Sequence, residues 1–462
     1  MTRAYLGLAL FDVVCTAVGF ALLHGCGFVR TRRHPLRALP AAFFLGWALV
    51  GIAAAIGVCA GISPGVPQTL ALAAAVGALA AAPAPWTTPF AHTRAPRTRL
   101  PGGRLLASGG AACVAVALAA AVVLGAASPA DVNWDVWAFW LPKAEAIYYF
   151  HGLDTGLSGY LTYPHPSYPP LVPAASAATF HFMGGVHPSL LPLQQSLIGV
   201  GFVMSVAVIL RRRVSADVVY PALALLVLAP QFWKRMSVVL PDQQTAYLLA
   251  AAALLALLWL LESCDILLVP AGVVLAAAAL TKSEGFLLGL LLALIVAMLA
   301  FAGRQRRRNG FALAAGPAAI TPWFLWLHAH GRPLSSEDYD WRNLFDLGFL
   351  DGRGNRLALA SSRLLHDAFD FRTWTLVLPL TLCACILAAR AAPHVVGAVT
   401  LWLAIGFAGL TATYWIGFPE IHWYLDTSGE RVVATLPLVA GTVLPLLLGL
   451  LVAADSQSPD DA

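Results

Sequence analysis

Long apolar runs separated by short polar breaks fill almost the whole chain. They cover residues 4–24, 39–62, 65–84, 105–127, 189–210, 217–233, 244–261, 266–281, 285–302, 311–328, 373–391, 395–416 and 432–453. Each is about long enough to cross a hydrocarbon core ~30 Å thick as a helix. The pattern predicts an all-α polytopic membrane bundle of about 11–13 transmembrane helices, with outer juxtamembrane helices and no separate soluble domain. The first run lacks a basic leader and a small-residue cleavage site, so it reads as a retained span.

Three segments break the pattern for longer: 128–188, 329–372 and 417–431. In the first, the prolines of Tyr163-Pro-His-Pro-Ser-Tyr168-Pro-Pro-Leu-Val-Pro173 exclude a helix until after Pro173. The apolar stretch from Ala174 to Met183 is too short to span and predicts a re-entrant or interfacial helix. The second segment carries Glu337, Asp338, Asp340, Asp346 and Asp351 among Gly and Arg, a composition suited to a flexible cover.

Composition agrees with a membrane protein. Of 462 residues, 59% are hydrophobic and 11% charged, which excludes a soluble domain of this size. The seven cysteines lie in or beside predicted spans, so no disulfide framework is expected.

Charge placement sets an orientation. Arg30, Arg32, Arg33 and Arg37 share one loop, and strict alternation puts Arg94, Arg97, Arg99 and Arg104, then Arg211 to Arg213, then Arg304 with Arg306 to Arg308, then Arg390 on the same side. Lys and Arg concentrate in cytoplasmic loops, so that side is expected to be cytoplasmic. Of the acids, only Asp217, Glu262, Asp265 and the tail residues Asp455, Asp460 and Asp461 share it, and Asp12 lies within the first span. The net charge of +5 therefore follows from topology and gives no sign of nucleic-acid binding.

The chemistry gathers on the other, outer side. Asp131 to Glu145 packs Asp131, Asp135, Trp134, Trp137, Trp140 and Lys143 behind an apolar run. Asp135 reads either as a general base or as a carboxylate that pairs with Lys143 or caps the following helix. The Trp cluster reads as substrate contact or as an interfacial belt. Asp242, after Pro241, is a site residue or an anion at a helix N-terminus. Lys282 and Glu284 interrupt an otherwise apolar stretch, either as a mutual ion pair or as groups facing a substrate. Arg431 either snorkels toward headgroups or binds an anion. Eight outer histidines, among them His151, His165, His181 and His422, lack tight ligand spacing. A divalent metal is compatible with this chemistry but not called for, and solvated loop histidines are the plainer reading.

Five motifs here, taken in order, resemble those of bacterial polytopic glycosyltransferases of the C-type superfamily (GT-C), which includes the protein mannosyltransferases and aminoarabinose transferases. Trp134-Asp135-Val-Trp137-Ala-Phe-Trp140-Leu-Pro-Lys143-Ala resembles the start of their first outer loop. Tyr168-Pro-Pro-Leu-Val-Pro173, Leu240-Pro-Asp242, Leu280-Thr-Lys282-Ser-Glu284-Gly285 and His422-Trp-Tyr-Leu-Asp-Thr-Ser-Gly-Glu-Arg431 are similar to later segments. The resemblance covers about residues 131–431, leaving the first three helices outside it.

The resemblance implies N-terminal helices over 1–104, a GT-C-like domain over 105–453 and a cytoplasmic tail over 454–462. It implies transfer of a sugar from a polyprenyl-phosphate donor to a lipid, glycan or protein acceptor, with inversion, on the extracytoplasmic face of the plasma membrane. Asp135 would be the base. Lys282, Arg431 and Lys143 would meet the phosphate, with Asp131, Trp134, Tyr168, Asp242, Glu284 and His422 completing the substrate site. Two other classes stay open: a polysaccharide polymerase or ligase, and a secondary transporter, which would hold ionisable groups near the bilayer midplane.

Overall fold

A computed structural model of the chain describes residues 1–28, 35–81, 100, 102–128, 133–153, 156–157, 159–302, 309–334 and 336–455. The structure is 82% helical, with no strand among the described residues. Nine described helices are long and apolar enough to cross a membrane, or up to eleven when two bent pairs each count as one span. The protein is an all-α polytopic membrane protein.

The helices that position the site are α1 (Thr2–Gly25), α2 (Leu39–Cys59), α3 (Val66–Ala81), α4 (Gly103–Ala127), α5 (Leu141–Phe150), α6 (Leu171–Met183), α7 (Leu191–Leu210), α8 (Ala216–Val227), α9 (Pro230–Met236), α10 (Pro241–Glu262), α11 (Leu268–Thr281), α12 (Ser283–Ala302), α13 (Thr321–Ala329), α14 (Gly354–Phe369), α15 (Val377–Ala388), α16 (Pro393–Trp415) and α17 (Thr435–Asp455). Helix α10 is the axis of the bundle. Its apolar window is 89% buried, enclosed by α7, α11, α12, α16 and α17. At 1.5 Å per residue its 22 residues span about 33 Å.

That length separates two polar ends. Asp242 stands at the start of α10 and Glu262 at its finish. Glu262 pairs with Arg213; Asp217, four residues after Arg213, accepts from the Leu100 backbone N–H at 2.8 Å. Asp265 joins them, accepting from the indole N–H of Trp259 at 2.9 Å. Glu262 and Asp265, two of the acids that alternation puts on one side, lie together at this end of α10, while Asp460 and Asp461 lie outside the described residues.

Several expected elements differ. The run 217–233 is two helices, α8 and α9, meeting at 68°, because Pro230 holds Ala229 extended and starts a new helix. The run 373–391 narrows to α15, and a 104° bend separates it from α14 and its extension to Trp374. The break falls at Thr375, which adopts φ 55. Helix α6 begins at Leu171, two residues ahead of Pro173. A proline in the first turn has no intrahelical acceptor to lose, so Pro173 does not delay the helix. Leu171 to Phe180 is buried throughout, so α6 lies inside the bundle against α1, α2 and α5.

The segment 329–372 is also more ordered than its composition implies. It contains the amphipathic α14, which buries Ala360, Leu364, Asp367 and Ala368. Arg353 Nη1 donates to the Gly417 carbonyl at 3.0 Å and Arg356 Nε to that of Tyr414 at 2.7 Å. Two guanidinium groups thus fasten α14 to the carbonyls at the end of α16.

Candidate functional site

Pro241 places Asp242. Proline at the first helical position lacks only an N–H that would go unpaired there, so α10 starts at this point and carries the next carboxylate in its first turn. That carboxylate does not cap its own helix. Its Oδ1 accepts from Lys282 Nζ at 2.9 Å.

Lys282 is extended, φ −158 and ψ 156, in the turn between α11 and α12. Gly285 allows this turn to close, since a Cβ there would overlap the Ala278 carbonyl oxygen. Lys282 Nζ also lies 3.4 Å from Glu284 Oε1. The three side chains are only 9%, 9% and 14% exposed. Burial works against the charge on Lys282, but the Asp242 and Glu284 carboxylates outweigh it and raise the proton affinity of the ammonium. The second Glu284 oxygen is buried without a hydrogen-bond partner among the described residues.

Asp135 and Arg431 form the second half. Arg431 donates from Nη1 to Asp135 Oδ2 across 296 residues of sequence. Both partners border a π-helical turn, Val136–Trp140 after Asp135 and Leu425–Gly429 before Glu430 and Arg431. One extra residue per turn rotates the following side chains off the regular helical stripe, and such turns recur at functional sites. Glu430 lies 3.7 Å from Arg235 and 3.9 Å from Lys234, and Arg235 in turn bears on Asp242 and Arg431.

Aromatic rings wall the site. Tyr168 stacks on Trp140 at 5.6 Å and on His165 at 4.9 Å between centroids, and Lys282 Nζ lies 5.6 Å from the Tyr168 ring. Burial, then the surrounding carboxylates, keeps the Tyr168 phenol protonated. Behind this wall Lys143 is fully buried. It donates to the His165 carbonyl at 2.7 Å and sits 4.8 Å from the Tyr160 ring centroid. Burial lowers its ammonium to about 7.

The segment after α13 covers the cluster. Tyr339 bridges to Gly417, and the Phe418 N–H donates to the Asp338 carbonyl at 2.8 Å. These bonds hold the Asp338 carboxylate 3.7 Å from His165 Nδ1.

Asp135, Asp242, Lys282, Glu284, Arg431 and Tyr168 therefore come together from five separate segments. Lys143 is set behind them as an internal post. Its bond to the His165 carbonyl leaves out the alternative of an Asp135–Lys143 pair, because Asp135 is taken by Arg431 and burial directs the ammonium to a nearby carbonyl. The capping role considered for Asp135 also fails, since its side chain is taken by Arg431 and caps nothing. Trp134 is 57% exposed and packs edge-on against Trp137. His422 is exposed, its backbone N–H donating to Glu420 at 3.0 Å. Asp131 lies outside the described residues. Among the described residues no group of three or more His, Cys, Asp or Glu is placed to hold a metal ion.

Asp338, Tyr339 and the Arg235–Glu430 pair were not legible as site residues. Asp338 lies in an acidic stretch that reads as solvated loop, and only a backbone bridge between two distant segments brings it inward. No protein-family model matches the chain, and neither does any curated protein or solved structure.

Proposed function

We propose that this chain is a GT-C-type membrane glycosyltransferase. It would move a sugar, with inversion, from a polyprenyl-phosphate carrier to an envelope acceptor at the extracytoplasmic face of the plasma membrane. The observation that carries the reading is the convergence of Asp135, Asp242, Lys282, Glu284 and Arg431 at one end of the helices. These are the residues of the motifs that resemble that superfamily, and a charged cluster at the start of a 22-residue apolar helix suits a lipid phosphate held at a membrane interface.

The chemistry follows from the pairings. A phosphodiester needs cationic donors aimed at its oxygens, and an acceptor hydroxyl needs a positioned base. Arg431 is the exchangeable cation. In place of Asp135 it binds the donor phosphate, and the freed Asp135 takes the proton from the acceptor hydroxyl as the acceptor oxygen bonds to the anomeric carbon. Lys282, fixed by Asp242 and Glu284, holds the opposite side of the phosphate. Arg431 Nε, buried without a partner among the described residues, leaves a donor for that ligand.

The test is transfer by purified, reconstituted protein from a panel of polyprenyl-phosphate hexoses and pentoses. Asp135→Asn should cut turnover by about 10²–10⁴-fold, the usual contribution of a general base. Asp135→Glu should restore only part of it. Wild-type turnover in Asp135→Asn removes the base assignment, and absence of transfer by the wild type from every donor removes the function.

A further inference from the structure

We infer that Asp338 is the general acid of this site, giving its proton to the phosphate oxygen that leaves the sugar. This rests on the glycosyl-transfer reading above. The geometry supplies the first ground. The Tyr339–Gly417 bridge and the Phe418-to-Asp338 backbone bond fix this carboxylate over the cluster rather than leaving it on a free loop.

The second ground is charge. Three cations, Lys282, Arg431 and Arg235, share this end of the bundle with five carboxylates: Asp135, Asp242, Glu284, Glu430 and Asp338. Arg431 holds Asp135, Lys282 holds Asp242 and Glu284, and Arg235 holds Glu430, so among the described residues no Lys or Arg pairs with Asp338. Its neighbour at 3.7 Å is His165. Burial and the charges of Lys143, Lys282 and Arg431 push that imidazole down to about 4, so the ring is neutral. The groups that bear on Asp338 are Glu284 and Lys282 from the α11–α12 turn, Asp135 and His165 from the first loop, and Glu337 beside it. Burial, then Glu284, raises the Asp338 carboxyl to about 6. One carboxylate paired with a guanidinium and another inclined to keep its proton is the division expected of a base and an acid in one site.

The step balances. The bond from anomeric carbon to phosphate oxygen breaks and its electron pair stays on that oxygen, which takes the Asp338 proton. The bond from anomeric carbon to acceptor oxygen forms, and the acceptor proton goes to Asp135. The phosphate leaves as a monoanion, Asp135 returns its proton to water, and water reprotonates Asp338.

The assay is the pH dependence of kcat for transfer by the full-length reconstituted protein. A carboxyl raised above its ordinary range is protonated below about pH 6 and loses the proton as pH rises, so wild-type kcat should fall on an alkaline limb. Asp338→Asn should remove that limb and lower kcat by roughly tenfold to a hundredfold, with KM for the donor little changed. Glu337→Gln, at an exposed neighbour outside the cluster, should move the limb to lower pH by removing a negative charge. An unchanged limb and kcat in Asp338→Asn, or an unmoved limb in Glu337→Gln, overturns the acid while leaving the transferase reading intact. Failure of wild-type transfer overturns the transferase reading itself.

Discussion

Replacing Lys282 by Met tests how the buried trio is held. The ammonium lies 2.9 Å from Asp242 and 3.4 Å from Glu284, and all three side chains are at most 14% exposed. With an effective dielectric of about 20, those separations correspond to ~6 and ~5 kcal/mol of attraction. Desolvation of several kcal/mol per ion opposes this, so the intact trio contributes little net stability. Removing the cation alone is different, because it strands two carboxylates in a dry turn. Lys282→Met should therefore lose ~3–5 kcal/mol. The triple variant Asp242→Asn, Lys282→Met, Glu284→Gln should lie within ~1–2 kcal/mol of wild type, since no charge remains to be stranded. The sign with pH follows. Stranded carboxylates have raised proton affinity when folded, so the deficit of Lys282→Met is full at high pH and shrinks as acid neutralises them. Chemical and thermal unfolding of purified protein in detergent at two pH values measures all of this. A Lys282→Met variant as stable as the parent would show that water reaches the trio. A triple variant as unstable as Lys282→Met would assign the loss to packing instead.

Gly285→Ala should destabilise the protein by ~1–3 kcal/mol, the usual range for overpacking, and lower transfer by displacing Lys282. Gly272→Ala, which meets nothing within 4 Å in the same pair of helices, should be neutral or slightly stabilising. Equal behaviour of the two variants counts against the tight turn. A reporter fused after Arg308 should score cytoplasmic and one inserted near Asp346 extracytoplasmic. The reverse pair of results would place the site on the other side of the membrane.

Most spans were legible because apolar length is a local property, although the runs 65–84 and 266–281 form helices shorter than a span, Val66–Ala81 and Asp265–Thr281. What escaped were elements defined by partners. Helix α14 carries apolar residues at 357, 360, 364 and 368, a helical spacing that the surrounding Asp, Gly and Arg obscure. The bend at Ala229–Pro230 has a local signal in Pro230, whereas that at Thr375 has none. In the site, the Asp242, Lys282 and Glu284 positions stand out because a charge beside a long apolar run needs an explanation. The pairing of Asp135 with Arg431, and the inward turn of Asp338, depend on contacts between distant segments that no local pattern encodes.

The two halves of the cluster also differ in when they can form. Asp242 and Lys282 are 40 residues apart, while Asp135 and Arg431 are separated by 296. At a synthesis rate of ~5–20 residues per second, about 15–60 s pass between the appearance of the carboxylate and that of its guanidinium. Through that interval Asp135 has to stay hydrated at the mouth of a half-built bundle, and a ribosome that stalls before the final span leaves a chain with Lys282 already seated and Asp135 unclaimed. Closure of this ion pair, like that of Glu430 with Arg235, therefore waits for the last part of the chain.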